Sequence, residues 1–309
     1  MNVKKLYPQG YCKGVYNAIK ITLETKKLYP DEKIYILGLV IHNKLIKEKL
    51  QKLGIISLYS KDKTKIELLE NINEGIIILT AHGTEQEVIK EINNKNLKYI
   101  DTTCNYVNST YEIIKKELKN NLEVIYIGIH NHPEACATIS INKNKIHLIE
   151  NINDVTNLHI NDDSPLITNQ TTLSRYELEE LYQEIIKYYP NARISNEQCS
   201  ATRLRQGAII DIKEDYDLIF IVGDTLSNNS KQLYNLAKKK SKAYLIESIE
   251  DINISWLKDI NNIAITSGAS TPSSIVKQIY DWLLKFDYND PSTHIKPTIN
   301  FDTLLDEFK

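Results

Sequence analysis

The apolar residues of this chain fall into short unbroken runs. Longer stretches separate them, in which apolar residues recur at every third or fourth position. IYILG ending at Gly38, VIYIG ending at Gly128 and LIFIVG ending at Gly223 are such runs. A run without polar alternation reads as a strand covered on both faces, as in a parallel sheet. Upstream of each lies a stretch of helical character: VYNAIKITLETKKL, YVNSTYEIIKKELK and LRQGAIIDIKE. Two more runs follow each glycine. IISLYS, IHLIEN and AYLIES come first; IIILTAHG, PLITNQTT and NIAITSGAST come next and end in polar residues. Strands alternating with helices in this way predict βαβ units and small parallel sheets.

The order of these pieces repeats three times. Cys12, Cys104 and Cys199 each follow a short β-like segment (KLYPQGYC, LKYIDTTC, ARISNEQC) and precede the helical stretch. They lie 92 and 95 residues apart, and the glycines ending the first runs lie 26, 24 and 24 residues beyond them. A shared period marks a repeated structural unit. The expected organisation is a first α/β unit over residues 1–99, with the N-terminal strand and Cys12, a second over 100–195 and a third over 196–285. Residues 286–309 form a tail in which Pro291 and Pro297 break regular structure.

Composition narrows the class. The 309 residues carry a formal charge of −2, with 42% hydrophobic and 25% charged residues, as in ordinary globular proteins. No global basic field favours nucleic acid as a partner, and no apolar run approaches the ~20 residues of a membrane span. Four cysteines are too few for a disulfide scaffold. The opening MNVKKLYPQGY lacks the apolar core of a signal peptide, so a reducing, cytoplasmic setting is expected.

Ligands of open parallel sheets bind at the carboxyl ends of strands. After the first long run of each repeat come His42-Asn43, His132-Pro133-Glu134 and Ser227-Asn228-Asn229; His42, His132 and Ser227 lie 30, 28 and 28 residues past their cysteines. After the last run come His82, Thr171-Thr172 and Ser270. One such residue is commonly a turn or a helix cap. Three sets at matched positions instead suggest one cage of imidazoles, hydroxyls and amides suited to a phosphate or diphosphate. A lone cysteine is usually a small buried hydrophobe. Three at equivalent positions suggest a metal site with an open corner. A three-thiolate zinc site and a cuboidal iron–sulfur cluster with one iron free of protein sulfur both remain open at this point. Glu134, the one carboxylate among these strand ends, is placed to donate protons. Cys136 has no counterpart in the repeat and reads as an inert thiol.

The motifs, taken in order, resemble the 4-hydroxy-3-methylbut-2-enyl diphosphate reductase (LytB) family over nearly the whole chain. They are GYCKGVYNAI, VIHN, AHG, DTTC, HPE, QTTLS, the segment from Cys199 to Gln206, and GASTP. The resemblance implies three α/β units in a trefoil around a central [4Fe–4S] cluster held by Cys12, Cys104 and Cys199. It implies that His42, His82, His132, Ser227, Asn228, Asn229 and Ser270 bind a diphosphate substrate. Glu134 would relay protons with His132 and with Thr172, which would also hold the substrate hydroxyl. Electrons would come from ferredoxin or flavodoxin. A non-redox cluster dehydratase, and a cluster protein acting as sensor or electron carrier, are the alternatives. Departures from the family pattern stand at Asn105, Asn131, Cys136-Ala137, Asp224 and Asn228; Asn131, in place of a glycine, is expected to strain or reshape its turn.

Overall fold

The computed structural model describes residues 1–308 apart from Val40, His42 and Asn196. Its strands form three four-stranded sheets in which every pairing is parallel. In one, β2 (Ile34–Leu37) lies between β3 (Ile55–Leu58) and β4 (Ile76–Leu79), with β5 (Lys98–Asp101) beyond β4. β6 (Val124–Ile127), β7 (Ile146–Ile149), β8 (Leu166–Asn169) and β9 (Arg193–Ile194) repeat that order as β7-β6-β8-β9. β10 (Leu218–Val222), β11 (Lys242–Ile246) and β12 (Asn262–Ser267) repeat it again, and β1 (Asn2–Lys5) takes the fourth place. The residue block 1–99 therefore supplies the last strand to the sheet of the third block.

The register is the same in all three. The ends of the two central strands pair as Leu37 with Leu79, Ile127 with Asn169 and Val222 with Ser267. β2, β4, β6, β8 and β10 are buried at every residue, as their unbroken apolar runs require. The edge strands β5 and β9 are largely exposed, and are polar or short.

The helices repeat too. α1 (Lys13–Leu28), α5 (Asn105–Lys119) and α9 (Ser200–Ile210) each start just after a repeat cysteine. α2 (Lys44–Lys52), α6 (Pro133–Ile139) and α10 (Asn228–Lys238) follow β2, β6 and β10. α4 (Gln86–Asn94), α8 (Arg175–Tyr188) and α11 (Ser273–Leu283) follow β4, β8 and β12. The short α3 (Lys65–Leu69), α7 (Ile152–Thr156) and the 3-10 turn Ile249–Asp251, which follow the second strands, match too. Thr64 with Glu67, Asn151 with Asp154 and Ser248 with Asp251 form reciprocal capping boxes there.

The chain divides into two compact units, Met1–Tyr16 with Ile41–Leu53 and Ser200–Lys309, and Asn17–Val40 with Gly54–Cys199. The first holds the sheet of β1 and β10–β12. The tail belongs to it and is more regular than its prolines suggest, forming 3-10 segments at Pro291–His294 and Phe301–Phe308. Leu304 and Leu305 are buried, the Tyr11 hydroxyl donates to the Leu304 carbonyl (3.3 Å), and Phe308 stacks on Tyr16. Lys49 pairs with Asp302, whose side chain is exposed. Such pairs contribute little, so the leucines carry the attachment. Leu304→Ala should lower stability to urea by about 2–4 kcal/mol. A loss under about 0.5 kcal/mol, the range of surface substitutions, would show that the tail is not part of the core.

Candidate active site

Each repeat cysteine is held by the same hydrogen bond. The N–H of Cys104 donates to the carbonyl of Ala81 (3.0 Å), that of Cys199 to Thr171 (3.2 Å) and that of Cys12 to Ala269 (3.0 Å). Every acceptor lies two residues beyond the end of a central strand: β4, β8 or β12. The backbone thus carries the cysteine across to the carboxyl edge of its sheet, where the next helix begins. None of the three is in a disulfide, and all are half-buried. In the first turn of α1 the Val15 N–H approaches Cys12 Sγ at 3.4 Å. Among the described residues, no three His, Cys, Asp or Glu side chains are grouped to enclose a single metal ion.

The polar strand-end residues occupy two matched places. Directly beyond the acceptor residue come His82, Thr172 and Ser270, three residues past the ends of β4, β8 and β12. The second place is a helix N-terminus, a natural anion site. Ser227 caps α10 by accepting from the Ser230 N–H (3.3 Å), and Asn43 caps α2 by accepting from the Ile46 N–H (3.1 Å). His132 caps α6 through Nδ1, which accepts from the Glu134 N–H (3.2 Å). In a neutral ring that bond puts the imidazole proton on Nε2. The rings of His132 and His82 meet edge to face, 5.5 Å between centroids. His42, expected as a third imidazole, lies outside the described residues.

Glu134 is 1% exposed. Its Oε1 accepts from the Thr171 N–H (2.7 Å) and its Oε2 from the Thr171 hydroxyl (3.0 Å). These bonds favour the carboxylate, but burial outweighs them and pushes its pKa up to about 7. A carboxyl with such a pKa is able to exchange its proton near neutral pH. The threonine that holds it is Thr171, not the expected Thr172, whose hydroxyl accepts from Gln170 Nε2 (3.0 Å).

The third repeat has the same bond with a different side chain. Asn229 Oδ1 accepts from the Ala269 N–H (2.9 Å), as Glu134 Oε1 accepts from the Thr171 N–H. Asn229 and Glu134 are thus equivalent residues, one an amide and one an acid. Asn229 Nδ2 is buried and has no acceptor among the described residues. An unpaired buried donor beside the Ser227 cap suits a bound anion.

The unusual residues have local explanations. Asn131 adopts φ +61, the left-handed conformation that a glycine would take and that asparagine tolerates best among other residues. Asn105 is the first residue of α5, where proline is favoured but not needed. Asp224 accepts from the Leu226 N–H (2.7 Å) and so builds the turn before Ser227. Cys136 lies within the fields of Glu85 and Lys65, and burial raises its thiol pKa. Sequence reasoning overlooked Asn43 as a cap and Tyr126 as a neighbour of Glu134.

Because the folded-state pKa of Glu134 is raised, the native state keeps a proton that the unfolded chain releases above about 4.5. That contribution is complete below the unfolded pKa and is lost as pH rises towards 7 and beyond, up to about 3 kcal/mol. Glu134→Gln should remove this loss. Its stability relative to the parent, read from urea midpoints, should rise between pH 5 and pH 8. A pH-independent difference would mean that Glu134 is already ionised at pH 5.

The family described as LytB protein matches residues 3–284. A protein of Geobacillus kaustophilus named 4-hydroxy-3-methylbut-2-enyl diphosphate reductase is 39% identical over 297 residues, covering 95% of this chain and 93% of that one. A Malacoplasma penetrans protein of the same name is 38% identical, with coverages of 92% and 98%. Among solved structures, the E-1-hydroxy-2-methyl-but-2-enyl-4-diphosphate reductase of Plasmodium falciparum superposes with a TM-score of 0.86 at 29% identity, covering 99% of this chain and 98% of that one. A structure of (E)-4-hydroxy-3-methyl-but-2-enyl diphosphate reductase, described as the terminal enzyme of the non-mevalonate pathway, gives 0.65 at 27% identity, with coverages of 93% and 100%. With its sequence motifs, its three parallel sheets and these relatives in agreement, the chain belongs to the LytB family.

Proposed function

We propose that the chain reductively dehydroxylates 4-hydroxy-3-methylbut-2-enyl diphosphate to isopentenyl and dimethylallyl diphosphates. The observation that carries this reading is the threefold recurrence of a thiol pinned beside a strand end, with one protonatable carboxyl in the set. Cys12, Cys104 and Cys199 would hold a [4Fe–4S] cluster. The donor set fits: three thiols outside any disulfide, each at a helix start and each fixed by the same backbone bond. Such a cluster supplies single electrons and a Lewis-acidic iron free of protein sulfur. The blocks 1–99, 100–195 and 196–285 then act as three repeats, each contributing one ligand.

The remaining work falls to protein side chains. His42, His82, His132, Ser227, Asn228, Asn229 and Ser270 bind the diphosphate, and the unpaired Asn229 amide finds its acceptor there. Holding that remote group fixes the reacting carbon and lowers the entropic part of the barrier. Glu134, neutral at pH values below about 7, gives its proton to the departing hydroxyl, so that oxygen leaves as water. Thr171 then holds the resulting carboxylate with two hydrogen bonds. Thr172 and the His132 imidazole orient the substrate hydroxyl. Electrons enter from an external carrier such as ferredoxin or flavodoxin. Among the described residues no helix is long and apolar enough to cross a membrane, and a cytoplasmic setting suits free thiols.

Anaerobic reconstitution and turnover with a chemical reductant test the assignment. Glu134→Gln should keep the cluster absorption and lose about 10²-fold or more in kcat. Cys104→Ser should fail to retain a cluster, whereas Cys136→Ser should match the parent in absorption and rate. Full cluster retention by Cys104→Ser would refute the ligand set, and turnover without reductant would point to a dehydratase.

A further inference from the structure

The residue two places before each repeat cysteine is held by the last residue of a central strand. The Gly10 N–H donates to Ser267 Oγ (3.3 Å), the Thr102 N–H to the Leu79 carbonyl (3.2 Å) and the Glu197 N–H to Asn169 Oδ1 (3.1 Å). Thr102 and Glu197 are pinned a second time by their own side chains. The Thr102 hydroxyl donates to the Leu79 carbonyl (2.5 Å), and Glu197 Oε1 accepts from the Ser195 hydroxyl (2.5 Å). Gly10 has no side chain to do this, and it adopts φ +75. Glycine gives up more conformational freedom on ordering than any other residue, so the Cys12 loop is the hardest of the three to hold still.

A further tether reaches that loop from α9. Arg205 on this helix is 2% exposed. Its Nη1 donates to the Ala201 carbonyl one turn back (3.3 Å), and its Nη2 donates to the Gly10 carbonyl (2.7 Å). The guanidinium is thereby fixed between its own helix and the Cys12 loop. Arg205 lies six residues past Cys199. The residues six past Cys12 and Cys104 are Ala18 and Thr110, equally buried. The repeat therefore accepts a small side chain at this position and does not require a cation. A buried guanidinium carries a desolvation cost that its hydrogen bonds must offset, so packing alone does not account for it.

We infer that Arg205 is a positioning residue for Cys12. It replaces the side-chain tether that Gly10 lacks, and it sets a permanent positive charge against the loop that ends in the thiol. This rests on the reading of Cys12 as a cluster ligand. Near a cluster, such a charge stabilises the form that carries the added electron and so raises the reduction potential.

Two substitutions separate the tether from the charge. Arg205→Met keeps an apolar stem and removes both; Arg205→Lys keeps the charge and loses the planar fork. In the cluster-free protein, hydrogen exchange read by mass spectrometry should be about tenfold or more faster over residues 9–12 in Arg205→Met, and unchanged over residues 101–104. After anaerobic reconstitution, the midpoint potential of Arg205→Met should fall below that of the parent. Arg205→Lys should regain the potential and only part of the loop protection. Parent-like exchange over residues 9–12 would overturn the proposal. So would faster exchange spread evenly over α9, β10 and β12, or a potential that Arg205→Met leaves in place, because each marks Arg205 as core packing. If Arg205→Met fails to fold, the same comparison of the two loops in Arg205→Lys decides. A parent that takes up no cluster would sink the reading of Cys12 as a ligand instead, while the exchange comparison would still decide the tether.

Discussion

One backbone hydrogen bond, made three times, organises this structure. A cysteine N–H reaches the carbonyl two residues past a central strand, at 3.0, 3.0 and 3.2 Å. That bond ties the loop from an edge strand to the carboxyl end of its own sheet. It thereby sets a thiol beside the polar residue that follows the acceptor: His82, Thr172 or Ser270. A main-chain bond needs no particular side chain. The neighbouring residues are therefore free to differ between repeats while the cysteine stays in place.

The repeats have used that freedom. At one matched position stand Glu134, a buried carboxyl, and Asn229, an amide with a buried donor left over. Both accept the same backbone N–H, so the local fold treats them alike. The chemistry separates them. Thr171 supplies a hydroxyl to the acid, whereas Ala269 supplies none to the amide. Burial then raises the Glu134 pKa to about 7, and the sheet beside it carries Tyr126 where the other two carry Ile36 and Ile221. One scaffold thus holds an acid in one repeat and an amide in another through a few substitutions.

Much of this was legible in the sequence because the period is covalent information. The cysteine spacing, the unbroken apolar runs and the polar strand ends all survive without knowledge of packing. What the sequence hid depends on pairing across long distances or on local direction. β1 joins β12 across 260 residues, and its four residues carry no mark of that partner. Thr171 and Thr172 are chemically identical neighbours, and only the turn after β8 decides which one meets Glu134. Pro291 and Pro297 pointed to an irregular tail, yet buried Leu304 and Leu305 draw it into 3-10 segments. Asn131 takes the left-handed conformation that glycine would take, which a comparison of residue types alone does not show.

The threefold equivalence of the cysteines has its sharpest test in the Mössbauer spectrum of the anaerobically reconstituted protein. Three thiolate ligands on a cuboidal cluster require three irons of like environment and one distinct iron, whose signal shifts when the diphosphate substrate is added. Four indistinguishable irons, a two-iron signal, or a distinct iron indifferent to substrate would contradict the assignment of Cys12, Cys104 and Cys199.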